Sequence, residues 1–193
     1  MEYIPFKRQI TLNRELNKLD ELTLIFTQIL KKYTGYVIIS GYVSILLGRA
    51  RATEDIDVFI KKLDKKKFFE LWAELENKNF WCLNTDDVDE AYAYLIEGLG
   101  IRFAEKKNSI PNFEVKFSKN LLEQKNFEDF IKVKLKQGEV NISSLERQIA
   151  IKKYYLKSEK DIEDALHIEE LFKDKLDYSK INKIKSEISI ILK

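Results

Sequence analysis

Residues 38–60 read IISGYVSILLGRARATEDIDVFI, and this stretch decides how the chain is understood. Its last six residues, Asp55–Ile60, alternate between polar and apolar in the period of a half-buried strand. Residues i and i+2 of a strand share a face, so Asp55 and Asp57 lie side by side, with their Cα atoms roughly 6 to 7 Å apart. Two carboxylates on one face of a strand otherwise made of Ile56, Val58, Phe59 and Ile60 repel each other, and burying them without a cation is costly. A solvated strand end would tolerate the pair, and a divalent ion would neutralise it.

Composition narrows the choice of ion. The 193 residues include one His, His167, and one Cys, Cys82, so neither a disulfide framework nor a His- or Cys-based zinc site can be built. Both residues sit among apolar neighbours and read as structural. Any metal chemistry must use oxygen ligands, which favour Mg²⁺ or Mn²⁺. Apolar residues make up 45% and charged residues 34% of the chain, the balance of a folded globular protein. Lys and Arg total 34 against 32 Asp and Glu, a net charge of +2 that excludes a uniformly basic coat but leaves room for local basic sites. No apolar run approaches the roughly 20 residues of a membrane span, and there is no signal-peptide-like segment. The expected location is the cytoplasm, with no membrane partner.

Outward from the quoted stretch, the spacing of Leu16, Leu19, Leu22, Ile25, Phe26, Ile29 and Leu30 predicts a helix over 12–33, with Gly35 beyond its end. Tyr36–Ile39 reads as a buried strand, Gly41–Leu47 as a short helix stopped by Gly48, and Asp64 as the cap of a helix reaching Asn77. Further strands are expected at 80–83, 101–105 and 113–117, the last two joined by a turn at Pro111 and Asn112, with a weak helix over 87–99 between the first two. A hairpin of 130–135 and 139–142 turns at Gly138. Ser143 and Glu146 have capping-box spacing, and helices over 143–156, 159–173 and 178–191 follow. Trp72 and Trp81 read as core. The expected fold is α/β (α+β): a mixed-sheet core over residues 1–142, flanked by helices, and a helical C-terminal unit over 143–193 packed on it.

The strand before Ser40-Gly41 and the short helix after it form a second feature. Small residues at such a turn let a backbone approach a phosphate, and Ser40 adds a hydroxyl. A tight turn alone would also use them. An anion cradle beside a carboxylate pair is what a nucleoside triphosphate and its metal require.

With these residues in hand, the stretch resembles the nucleotidyltransferase superfamily of DNA polymerase beta type. That superfamily's motif joins a hydrophobic residue, a Gly and a Gly or Ser to a later Asp-x-Asp with apolar flanks. Here Ser40-Gly41 and Asp55-Ile56-Asp57 match it, with Ser40 standing where a first Gly is usual. The string Arg51, Thr53, Asp55, Ile56, Asp57 looks like the small stand-alone and AbiEii-type abortive-infection members. The resemblance implies a third carboxylate on a later strand: Glu114, with Glu105 as its rival. It further implies a phosphate-contacting Lys on a tail helix, matched by Lys153 with Lys152 adjacent, and a Lys-Asp-x-x-Asp string at Lys160, Asp161 and Asp164. Asp161 would orient that lysine or the acceptor.

The implied activity is metal-dependent transfer of a nucleotidyl group from Mg-NTP to an acceptor, whether an RNA such as tRNA, a protein or a small molecule, within a toxin–antitoxin system or outside one. Asp55, Asp57 and Glu114 would hold the metal, while Ser40, Gly41, Arg51, Thr53 and Lys152 would bind the nucleotide. A catalytically degenerate nucleotide-binding or interaction module, and kinase-like transfer to a partner, are the competing readings. The lysines at 61–67 could guide an RNA or simply form a solvated face, and Tyr154 and Tyr155 could stack a base or pack in the rim.

Overall fold

The alternation in DIDVFI becomes an alternation of faces: Ile56, Val58 and Ile60 are buried, while Asp55, Asp57 and Phe59 lie half-buried on the other side. The computed structural model describes residues 1–192 and sets this strand in a nine-stranded mixed sheet. In chain order the elements are β1 (Glu2–Ile4), β2 (Gln9–Thr11), α1 (Lys18–Tyr33), β3 (Tyr36–Ile38), α2 (Gly41–Leu46), β4 (Asp55–Ile60), α3 (Lys65–Asn77), β5 (Phe80–Cys82), α4 (Val88–Glu97), β6 (Ile101–Glu105), β7 (Asn112–Phe117), α5 (Leu121–Gln124), α6 (Asn126–Asp129), β8 (Ile131–Leu135), β9 (Gly138–Ile142), α7 (Leu145–Ile151), α8 (Glu159–Phe172) and α9 (Tyr178–Ile191). A π-helix, Lys152–Leu156, prolongs α7. Strand order is β1-β2-β8-β9-β3-β4-β7-β6-β5, with β2–β8, β3–β9 and β4–β7 parallel and the other neighbours antiparallel. This is the mixed α/β architecture expected from the sequence. No helix among the described residues is long and apolar enough to cross a membrane.

The apolar face of β4 and β7 packs on α1. Phe26 is fully buried, stacks on Phe113 at 3.9 Å and meets the edge of Phe80 at 5.2 Å. Such aromatic contacts add to the burial of large apolar area and hold the sheet's middle rigid. The opposite face carries Asp55, Asp57 and Phe59, and Asp57 and Phe59 line a cleft together with Arg147, Gln148 and Ile151 of α7.

Several local expectations change. Helix α1 starts at Lys18 because Asn17 and Asp20 form a reciprocal capping box, at 2.9 and 3.0 Å, and leave Leu12–Leu16 outside it. The Ser143–Glu146 box does not form. The N-cap is Ser144 without a side-chain cap, the Ser143 hydroxyl donates to Asn126, and Glu146 accepts from Lys180 instead. The hairpin turn is Lys136–Gln137, because Leu135 pairs with Gly138 inside the strands. Trp81 is 38% exposed: Phe80 and Cys82 take the inward face of β5, so the residue between them points out. The three-residue strands β1 and β2 and the single-turn helices α5 and α6 are too short to carry a periodic signal.

A candidate metal and nucleotide site

The carboxylate cluster is a product of strand register. β4 and β7 run parallel with Asp57 directly opposite Glu114, and Asp55 lies two residues back on the same face. One carboxylate oxygen from each of Asp55, Asp57 and Glu114 can be chosen so that all three lie within 4.8 Å of one another. Glu105 is exposed on β6 opposite Phe80, two strands from β4.

Burial pushes the Asp57 carboxyl up to about 6, helped by its hydrogen bond with Glu114 and the negative charges of Asp55 and Glu114. Burial acts on Glu114 in the same direction, but Lys116, donating at 2.9 Å, and Arg102, at 3.3 Å, hold it below its ordinary value. The residues fit a hard divalent cation: the donors are all oxygen, they converge, and Asp57 carries an electrostatic penalty that a cation would remove. Thr53 steadies the entry to this strand by donating to the Asp55 carbonyl at 2.8 Å.

Ser40 and Gly41 stand at the turn from β3 into α2. The backbone N–H of Ile39 donates to the Asp57 carbonyl at 2.9 Å, which holds this turn beside the cluster. Ser40 has φ 63° and ψ −136°, a conformation almost confined to glycine. Behind it, fully buried Tyr42 donates to Asp20 at 3.0 Å, so the box that starts α1 also anchors α2. A Cβ on Gly41 would come within 3.0 Å of the Arg51 guanidinium, so glycine is what lets Arg51 lie against this turn.

The two tail lysines separate. Lys152 is 1% exposed, donates to Asp161 at 3.1 Å and to Asp164 at 2.8 Å, and lines a cleft together with Ser40 and Asp57. Lys153 instead pairs with Glu169 of α8. Asp161 is also tied to Ser158, which donates to it at 2.5 Å. The structure therefore brings Lys152, held by Asp161, to the cleft and does not bring Lys153 there.

Asp164 is the hub. It is fully buried and accepts from Lys152, from Arg51 at 2.7 Å and from Arg49. Burial alone would raise its carboxyl, but Lys152, Arg49 and Arg51 hold it below the usual carboxylate range. The Lys-Asp-x-x-Asp string puts Asp161 and Asp164 three apart on one helix face. Nothing local to that string signals that the two arginines after α2 converge on Asp164.

The cleft has a volume of about 240 Å³ and is lined by Ser40, Asp57 and Lys152 together with Phe59, Gln148 and Tyr155. Cys82 and His167 take no part in it. Cys82 is buried on edge strand β5, and His167, half-buried on α8, sits 3.3 Å from the Leu47 carbonyl.

No family model matches the sequence, and no curated protein matches it. Solved structures do match the fold. An antigenic nucleotidyltransferase-like protein from Paracoccidioides brasiliensis superposes with a TM-score of 0.54 at 16% identity, over 87% of this chain and 85% of that one. The antibiotic-resistance factor ANT(2'')-Ia gives 0.52 at 15% identity, over 90% and 94%. The lincosamide antibiotic adenylyltransferase LnuA, bound to lincomycin, gives 0.50 at 15% identity, over 82% and 99%. At these identities the likeness establishes architecture, and the chain has the fold of these nucleotidyltransferase structures.

Proposed function

We propose that this protein transfers a nucleotidyl group from a Mg²⁺-bound nucleoside triphosphate to an acceptor hydroxyl or phosphate. The observation that carries the reading is the convergence of Asp55, Asp57 and Glu114 beside a cleft lined by Ser40 and Lys152. In this reading the three carboxylates hold the metal. When bound, the metal neutralises phosphate charge and favours departure of pyrophosphate. Ser40 and Gly41 cradle the β- and γ-phosphates, and Lys152 and Arg51 offset the charge that develops in the transition state. With a hydroxyl acceptor, its oxygen bonds to the α-phosphorus and its proton passes to Glu114, which is ionised at neutral pH. The bond from the α-phosphorus to the bridging oxygen breaks, and pyrophosphate leaves with the electron pair. Catalysis is mainly positioning and electrostatics.

For the acceptor, the solved neighbours that act on antibiotics favour a small hydroxyl compound as the first trial, ahead of an RNA such as tRNA or a partner protein in a toxin–antitoxin setting. A degenerate nucleotide-binding module is the second reading, favoured by Ser40 in a glycine conformation.

The test incubates each α-labelled NTP and Mg²⁺ with aminoglycosides, lincosamides, total RNA or cellular protein, beside an Asp55→Asn/Asp57→Asn double variant. Transfer by the wild type alone supports the enzyme. Metal-dependent NTP binding without transfer to any acceptor supports the degenerate module. If calorimetry finds no metal-dependent binding of any NTP, both readings are wrong.

A further inference from the structure

The three carboxylates are not equally compensated. Glu114 is paired with Lys116 and Arg102, and Asp57 shares a hydrogen bond with Glu114. The Asp55 carboxylate has one contact among the described residues, and it is a secondary one. The Thr53 hydroxyl, already donating to the Asp55 carbonyl at 2.8 Å, lies 3.4 Å from it. The shortage of positive charge therefore falls at the Asp55 end of the cluster.

Asn112 stands at that end. It opens β7 directly opposite Asp55, as Glu114 stands opposite Asp57. Phe113 packs on Phe26 on the α1 side of the sheet, so its neighbours Asn112 and Glu114 share the other face with Asp55 and Asp57. Adjacent strands lie roughly 5 Å apart, which puts the Asn112 amide and the Asp55 carboxylate within reach of one ion. Asn112 is 7% exposed. Its amide nitrogen donates to the Glu54 carbonyl at 3.2 Å and to the Ser109 carbonyl at 3.3 Å. Its Oδ1 is sealed from solvent and has no hydrogen-bond partner among the described residues. An amide beside a carboxylate would ordinarily turn its N–H groups toward it. Here two backbone carbonyls claim the nitrogen, and the oxygen is the end left over. A buried carbonyl without a partner is destabilising. A hard cation is the partner that matches it, because carboxylate and amide oxygens together are a donor set such ions take.

We propose that Asn112 supplies a fourth oxygen ligand to the cation held by Asp55, Asp57 and Glu114. Its role rests on the metal-binding reading of those three carboxylates. Through the amide nitrogen, a bound ion is also tied to the backbone before β4 and to the loop before β7.

The experiment measures Mn²⁺ affinity by calorimetry on the full chain without nucleotide. Asn112→Leu and Asn112→Asp both lose the hydrogen bonds to Glu54 and Ser109, but only Asn112→Asp keeps an oxygen in place. Asn112→Leu is expected to bind Mn²⁺ about tenfold more weakly than the wild type. Asn112→Asp is expected to bind it at least as tightly as the wild type. Equal losses in the two variants would reduce Asn112 to a brace for the loop, and wild-type affinity in Asn112→Leu would remove it from the site; either result overturns the role of Asn112 and leaves the three carboxylates standing. Should Asn112→Leu not fold, the wild type carries the test. The carbon-13 resonance of the Asn112 side-chain carbonyl is expected to shift as Mg²⁺ fills the site, and a resonance that stays in place overturns the role. Wild-type protein that binds no Mn²⁺, or binds it no better than the Asp55→Asn/Asp57→Asn double variant, overturns the metal-binding reading as well.

Discussion

Ser40 shows at the scale of one residue how a motif position and a backbone conformation are linked. The turn from β3 into α2 demands φ 63° and ψ −136°, where an L side chain is strained and glycine is not. Serine persists because its neighbours over-determine the turn: Ile39 is bonded to Asp57 behind it, and Tyr42 is anchored on Asp20 ahead of it. Ser40→Gly should therefore raise stability by about 1 kcal/mol, after allowing for the extra freedom of glycine in the unfolded chain. Thermal or urea unfolding measures it, and a loss of stability would mean that the hydroxyl contributes more than the strain costs. The sequence singles out Ser40 as the departure from the glycine pattern; that it sits in a glycine conformation is visible only in the backbone.

At the scale of the element, the passage from α7 into the π-helix separates two adjacent lysines. Here the Lys157 N–H bonds to the Lys152 carbonyl at 3.0 Å, an i→i+5 bond, and Lys157 ends the segment in the left-handed region. Gln148, Ile151, Lys152 and Tyr155 share the cleft wall at ordinary helical spacing, and Lys153, off that face, pairs with Glu169. The sequence offers two adjacent lysines on one helix, and which of them meets the cleft depends on what that helix packs against, which the repeat alone does not tell. Lys152→Met should weaken Mg-NTP binding about tenfold or more, as loss of a charge-assisted contact does. Lys153→Met should leave it within a factor of about two. Equal losses in the two variants, measured by calorimetry, would contradict the assignment.

At the scale of the whole molecule, Asp164 joins parts of the chain more than a hundred residues apart. Arg49 and Arg51 come from the loop after α2, Lys152 from the π-helix and Asp164 from α8, so one buried carboxylate fastens the C-terminal helices to the sheet beside the cleft. Replacing it leaves three cations without their shared partner. Asp164→Asn should cost about 3 kcal/mol at neutral pH. The folded protein holds the Asp164 carboxyl below its unfolded value, so its contribution is present above the ordinary carboxylate range and is lost as pH falls below it. The stability gap between wild type and variant should accordingly be widest near pH 7 and close in acid, as urea unfolding across pH will report. A gap independent of pH would point to altered packing instead of lost charge pairing.

The sequence by itself determined what was local and periodic. The alternation of Asp55–Ile60 specified a strand with two carboxylates on one face, the small residues at 40–41 specified a close turn, and the scarcity of His and Cys left oxygen as the ligand. These follow from strand geometry and side-chain chemistry over a few residues, which need no distant partner. Tertiary structure alone decided what depended on register and on distant contacts. Parallel pairing of β4 with β7 set Glu114 beside Asp57, where a shift of one residue would have turned it to the other face. Folding of the tail over the sheet chose Lys152, gathered Arg49 and Arg51 on Asp164, and set Gln148 on the cleft wall. Such contacts form when buried charges find partners and apolar faces find cover across the whole chain, and no short window of sequence contains both sides of them.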